Sequence, residues 1–249
     1  MSLYLRVPRP AGPSIPMQAR PKGLNVLFIC SGNIMRSVIS ECVLRTRACE
    51  LLGETAFLFS AESCGLEANP DAPPHEEAHR ALDYLGVPLC DTGASPTDDE
   101  RLARCDLAVT MTRQQLYVLA SRFPEPSRKS FSLIELNGAI ETLLEMRGQS
   151  LGERDWASLA RDASAEELSE NLGRAVAEIT GLQREFVRPL PGVQLNIFEL
   201  LTKFSPCFHQ ASGVHDPLGG TPEETLRCAR LLNTEITNLL NGLFALALT

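Results

Sequence analysis

A parallel four-stranded sheet with helices on both faces is the fold this 249-residue chain predicts, and three observations predict it. Apolar strand-like runs alternate with stretches of helical spacing, the arrangement that winds a parallel sheet. The first run, Leu24 to Cys30, ends in Cys30-Ser31-Gly32-Asn33-Ile34-Met35-Arg36-Ser37 and leads into a helical pattern, so a tight loop sits at a strand's carboxyl end. The chain closes on a helix start, Thr221-Pro222-Glu223-Glu224, with a capping residue, a proline in the first turn and a capping-box glutamate.

In chain order, residues 1–22 carry five prolines and basic residues without an acidic one, and read as an extended, disordered arm. Residues 23–249 read as one domain. After the first strand, a helix places Ile39, Cys42, Val43, Cys49 and Leu52 inward and ends at Gly53. Phe57 to Ala61 is the expected second strand. Ala78, Ala81, Leu82 and Leu85 have helical spacing, closed by Gly86. Leu107 to Met111 is a buried strand followed by a helix near Gln114 to Ser121, and Ser130 to Leu133 is the fourth strand. Residues from about 137 to 210 form a helical insertion, in which Ser164 and Glu167 make a capping box. There Leu168, Leu172, Ala175, Ile179, Leu182 and Phe186 mark one face, which must pack on the body or on a second copy. Trp156 lies in the same stretch as a core or anchoring residue. The last helix turns Leu232, Ile236, Leu239 and Leu243 to the core.

Composition narrows the function classes. A net charge of −8 disfavours a nucleic-acid partner, which would call for a basic surface. No apolar run reaches the roughly 18 residues needed to span a bilayer. The eight cysteines (30, 42, 49, 64, 90, 105, 207 and 228) contain no C-x2-C pair and no apolar leader precedes them, so free thiols in a cytoplasmic protein are expected. The four histidines make no zinc-ligand spacing with them; His75 and His79, four apart on an expected helix face, read as solvated. No metal and no cofactor is expected.

The loop after the first strand carries the chemistry. Successive backbone N–H groups and a helix N-terminus make a nest for a dianionic phosphoryl group, and the same positive end favours a thiolate at Cys30. Gly32 allows close backbone approach, and Asn33 tolerates a positive φ. Arg36, six residues after Cys30, offers a planar fork for two phosphate oxygens. A bare C-x5-R would read as a buried strand-end cysteine; the full string between a strand and a helix favours a nucleophile.

Val26 to Ser37, with Glu41 following, resembles the signature of the low-molecular-weight protein tyrosine phosphatases, roughly V-L-F-V-C-x-G-N-I-C-R-S-P-x-A-E. The resemblance covers about 24–136 and 211–247. It implies a flavodoxin-like, phosphotyrosine phosphatase I-like fold, a phosphocysteine intermediate and a general acid in an Asp-Pro dipeptide near the last helix. The chain has one Asp-Pro, Asp216-Pro217. Cys30, Arg36 and Asp216 are thus the expected catalytic residues, and Ser31, Gly32, Asn33, Ile34, Met35 and Ser37 the substrate-binding ones. The resemblance assigns Ser37 a hydrogen bond to the thiolate and Asn33 a tie across the loop.

Two positions depart from the pattern. Met35 stands where many members have a second cysteine, which removes one route to reversible oxidation of Cys30. Leu218 follows Asp216-Pro217 where a tyrosine is usual. The expected substrate is a phosphotyrosine-containing protein or a small aryl phosphate, with Ile34 as an apolar entrance; relatives acting on phosphoarginine tend to have threonine there. Arsenate reduction is the alternative activity, although Met111 to Tyr117 lacks the relay cysteines of those reductases. A phosphate-binding module without turnover is the third reading. Oligomeric state has no signal in the sequence.

Overall fold

A computed structural model of the chain describes residues 21–90, 93–152, 154–186 and 213–249. The proline-rich arm, apart from its last two residues, and the 187–212 part of the expected insertion lie outside the described residues.

Four parallel strands form the sheet: β1 (Leu24–Cys30), β2 (Phe59–Gly65), β3 (Leu107–Thr110) and β4 (Ser130–Ser132). Their order is β2-β1-β3-β4. β1 is therefore central, and the chain leaves it first to one side and later to the other. At such a reversal a crevice opens beyond the strand's carboxyl end, where Cys30 lies. The in-register pairs Val26 with Ala61 and with Leu107 show β1 bonded on both edges.

Among the described residues the α-helices are α1 (Arg36–Leu52), α2 (Glu76–Leu85), α3 (Asp99–Arg104), α4 (Arg113–Arg122), α5 (Leu133–Met146), α6 (Trp156–Asp162), α7 (Ala165–Phe186) and α8 (Pro222–Ala247). They divide unequally between the faces. Alternation along β1 sends Val26 and Phe28 into the larger core, shared with α1, α5, α6, α7 and α8. Leu27 and Ile29 point to a small cluster with Cys64, Leu102, Cys105, Ala108 and Leu119 under α3 and α4.

Several expectations change in register. The second strand begins at Phe59 because Gly53–Leu58 folds as a 3-10 helix first, so Phe57 precedes the sheet. On α1 the inward residue near the C-terminal end is Ala48, whereas Cys49 is exposed. One step of 100° separates them, and the stripe passes through the smaller side chain. His75 caps α2, its Nδ1 accepting from the Glu77 N–H, so it does not share a helix face with His79. The capping boxes of α4 and α8 form as Thr112 with Gln115 and Thr221 with Glu224.

β4 runs directly into α5, which continues unbroken through Asn137, the position at which the insertion was expected to begin. Asn137 donates to the Glu235 carbonyl and carboxylate on α8, at 2.9 and 2.7 Å. α6 and α7 also join the main body: Trp156, Leu168, Leu172, Ala175 and Ile179 are buried in the larger core. Burying a helix stripe of this kind contributes about 1.5–3 kcal/mol for each large apolar side chain. The apolar face of α7 from Leu168 to Leu182 is thereby covered within the chain.

Candidate active site

Cys30 ends β1, residues 31–35 turn, and Arg36 opens α1. Asn33 adopts φ +53°, as a sharp inward turn requires. Met35 occupies the N-cap position without a side-chain cap, which leaves the first backbone donors of α1 free of any side-chain acceptor.

The loop is held by the sheet's edge as well as by itself. Backbone pairing runs on past β2, with Leu66 N–H donating to the Cys30 carbonyl at 2.9 Å and Glu67 N–H to the Ser31 carbonyl at 2.8 Å. Gly65 makes this possible, since a Cβ there would lie 2.6 Å from the Ser31 oxygen and 2.9 Å from the Asn33 nitrogen. Gly32 has no such neighbour: its Cβ would meet only Ile34, at 3.6 and 3.8 Å. At this loop the glycine demanded by close packing is Gly65 rather than Gly32.

Around the sulfur the polar atoms converge. Cys30 Sγ is buried, 3.0 Å from Ser37 Oγ, and accepts the Asn33 backbone N–H at 3.3 Å. Asn33 Nδ2 donates to Ser37 Oγ at 3.0 Å and to Ser63 Oγ at 2.9 Å, while its Oδ1 accepts from the Ser95 N–H at 2.8 Å. Ser63 then donates to Glu41 Oε2 at 2.7 Å. The chain of contacts runs from a buried carboxylate to the sulfur through three polar side chains. Glu41 also meets Arg45 at 2.8 Å, yet its carboxyl is held above the ordinary value because burial outweighs that half-exposed guanidinium. Ser31 Oγ accepts from Gln115 Nε2 at 3.0 Å, and Gln115 Oε1 is fixed by the Met111 and Thr112 N–H groups.

Arg36 is buried, with a guanidinium that reaches the loop before α8: Nη1 donates to the Val214 carbonyl at 3.1 Å, and Nη2 pairs with Asp216 Oδ2. That loop is anchored by Val214 N–H to the Met111 carbonyl at 2.8 Å. Gly213 enables the approach at φ +86°, where a Cβ would fall 2.7 Å from the Met111 oxygen. Asp216 Oδ1 accepts the Leu218 N–H at 3.2 Å, an Asx turn that leads toward the α8 capping box.

A cavity of about 210 Å³ is lined by Cys30, Ser31, Gly32, Ile34, Met35, Arg36, Glu67, Asp216 and Leu218. The expected nucleophile, guanidinium and acid thus meet in one cavity, with Ser31, Gly32, Ile34 and Met35 on its wall. Asn33 and Ser37 lie behind the sulfur. Ser63, Glu41, Gln115, Gly65 and Glu67 were not anticipated as site residues. Only Glu41 had a sequence signal, its place in the signature; the others come from distant segments. The α6 and α7 helices contribute no residue to this wall among the described residues.

Comparison with known proteins points to the same family of folds. Residues 25–144 match the model for low molecular weight phosphotyrosine protein phosphatase. A protein-arginine-phosphatase of Bacillus subtilis (strain 168) is 28% identical over 136 residues, covering 51% of this chain and 83% of that protein. The low molecular weight protein tyrosine phosphatase from T. tengcongensis superposes with a TM-score of 0.53 at 20% identity, over 88% of this chain and 98% of that one. A mutant of the YwlE arginine phosphatase, with a phosphorylated active site serine, gives 0.52 at 18% identity over 87% and 93%. By its signature loop, its parallel sheet and these matches, residues 25–144 carry the low molecular weight phosphotyrosine protein phosphatase unit, and the chain is a cysteine-dependent phosphatase.

Proposed function

We propose that the chain hydrolyses phosphotyrosine in proteins, with Cys30 as nucleophile, Arg36 as phosphate clamp and Asp216 as general acid and base. The observation that carries this reading is the shared cavity of Cys30 and Asp216, with the sulfur at its buried end and Ile34, Met35 and Leu218 as apolar wall. A long, flat aryl phosphate reaches such a floor, and its ring matches the wall.

The Cys30 thiolate attacks phosphorus, and the S–P bond forms as the P–O bond to the tyrosyl group breaks. Asp216 gives its proton to the departing phenolate oxygen. Loop N–H groups and Arg36, turned from Asp216 toward the phosphoryl oxygens, stabilise the charge spread over them. Water then attacks the phosphocysteine, Asp216 removes its proton, and inorganic phosphate leaves with Cys30 restored as thiolate. Ser37, oriented by Asn33, hydrogen-bonds the sulfur throughout.

Phosphoarginine is the second reading, favoured by the two carboxylates, Glu67 and Asp216, that border the cavity and suit a guanidinium leaving group. Ile34 weighs toward the aryl substrate. The deciding measurement is kcat/KM for matched phosphotyrosine and phosphoarginine peptides, with wild type and Ile34→Thr. A wild-type preference for phosphotyrosine that narrows in the variant supports the proposal; a wild-type preference for phosphoarginine overturns it.

The burial of α6 and α7 in the larger core supports a single domain from residue 23 onward. All seven described cysteines are free, which supports a reducing compartment such as the cytoplasm. No helix among the described residues is long and apolar enough to cross a membrane.

A further inference from the structure

Two cysteines outside the active site face each other. Cys42 lies on α1, buried, and Cys90 lies in the segment that follows α2, partly exposed. The Cys90 backbone N–H donates to Cys42 Sγ at 3.0 Å, across 48 residues of sequence. With an N–Cα bond of about 1.46 Å, the Cys90 Cα lies at most about 4.5 Å from that sulfur. That contact brings the two residues near the roughly 4.4–6.8 Å Cα separation of a disulfide. The other buried thiols face different groups: Cys30 meets Ser37, Cys64 meets Thr97, Cys105 the Leu102 carbonyl and Cys228 the His215 carbonyl.

We propose that Cys42 and Cys90 form a reversible disulfide site that takes a hydroperoxide as its oxidant. The two thiols are inequivalent. A hydrogen bond from the Cys42 thiol, helped by Arg45, holds Cys90 below the ordinary cysteine range, against its own partial burial and the Glu41 carboxylate. Cys42 is driven the other way by that hydrogen bond and by burial. Cys90 is therefore the thiol that solvent reaches and the one that more readily ionises.

Its thiolate attacks one peroxide oxygen; the O–O bond breaks, water or an alcohol departs after taking a proton, and Cys90 becomes a sulfenic acid. The Cys42 sulfur then displaces the sulfenic oxygen, forming the S–S bond and releasing a second water that carries the Cys42 proton. Two electrons pass from the thiol pair to the peroxide. A dithiol reductant reverses the bond by exchange.

The bond would join two parts that both touch the catalytic loop. α1 begins with Arg36 and Ser37, and Ser95 of the segment after Cys90 holds Asn33 through its N–H. Because the sulfur of one residue already contacts the backbone of the other, closure needs little movement.

The test treats the full chain and its Cys30→Ser variant with hydrogen peroxide, followed by alkylation and digestion without reduction. The expected product is a peptide pair joined through Cys42 and Cys90, with two fewer titratable thiols and recovery by dithiothreitol. Closing a loop of this length raises Tm by about 5 °C or more. Cys90→Ser, at the partly exposed position, abolishes the linked peptide and the Tm rise; Cys42→Ser does the same if it folds. Recovery of Cys90 as a sulfinic acid with no linked peptide, or linked to any cysteine other than Cys42, overturns the proposal. Neither readout depends on phosphatase turnover.

Discussion

Arg36 and Asp216, 180 residues apart in sequence, form an ion pair in which the guanidinium is buried and the carboxylate is 44% exposed. Of the arginine's five N–H donors, one is directed to that carboxylate and one to the Val214 carbonyl. A phosphoryl dianion must therefore compete with Asp216 for the fork. The same pairing keeps Asp216, the proposed acid, on the wall of the cavity it shares with Cys30.

Asp216→Asn separates these two effects. Loss of general acid catalysis lowers kcat by about 10²–10⁴-fold with an aryl phosphate of poor leaving ability. Inorganic phosphate, as a competitive inhibitor, binds tighter, by roughly three- to ten-fold, because a unit negative charge beside the arginine is gone; solvent screening keeps the gain modest. Inhibition constants alongside kcat check both, and weaker phosphate binding in the variant would count against the competition.

Cys30→Ser abolishes turnover and retains phosphate binding, read by calorimetry with inorganic phosphate. Arg36→Lys loses both: a point charge cannot span two oxygens, and it leaves the Val214 carbonyl and Asp216 with poorer partners. A kcat/KM reduction of about 10²-fold or more is expected for the lysine variant.

Glu41 links site and stability. Its carboxyl is held above the ordinary value of 4.5 by burial, so in the window above 4.5 the folded chain binds a proton that the unfolded chain has released. Stability from this group is present below pH 4.5 and declines as pH rises through the folded value. Glu41→Gln removes that dependence, so its Tm relative to wild type improves from pH 4.5 upward and then levels off. Its kcat falls several-fold, because Ser63, Asn33 and Ser37 lose the carboxyl end of their chain of hydrogen bonds. Thermal melts across pH and steady-state kinetics test the two halves separately.

Thiol chemistry should single out one buried cysteine. Burial pushes Cys64 and Cys228 up to about 12 and Cys105 up to about 11, leaving them almost wholly protonated and shielded near neutral pH. Loss of activity with iodoacetate is expected to parallel carboxymethylation of Cys30 and to slow in saturating phosphate. Mass mapping of partly inactivated protein checks this. Labelling of Cys64, Cys105 or Cys228 in step with activity loss would contradict it.

The proposed chemistry draws on the sequence wherever it is local. Cys30 to Ser37 is one contiguous turn between a strand and a helix, and the spacing of Cys30 and Arg36 is set by that turn, so the string alone suffices to propose a nucleophile and a clamp. Strand and helix alternation likewise revealed the sheet, because periods of about 2 and 3.6 residues survive in a single chain. Less was visible at element ends: the 3-10 turn before Phe59 and the choice of Ala48 over Cys49 are decided by packing partners that periodicity does not contain.

What only the tertiary structure decided are the contacts between distant segments. Asp216 faces Arg36 because the Val214 backbone bonds to the end of β3 and Gly213 lets the two chains close to contact. Gly65, Ser63, Ser95 and Gln115 support the loop from separate parts of the chain, and nothing in their neighbours in sequence marks them. The covering of the α7 stripe by the body was likewise open until the core was seen. The physical reason is common to all of these: a short motif encodes the conformation of its own backbone, whereas a cavity is closed by side chains whose separation along the polymer carries no information about their separation in space.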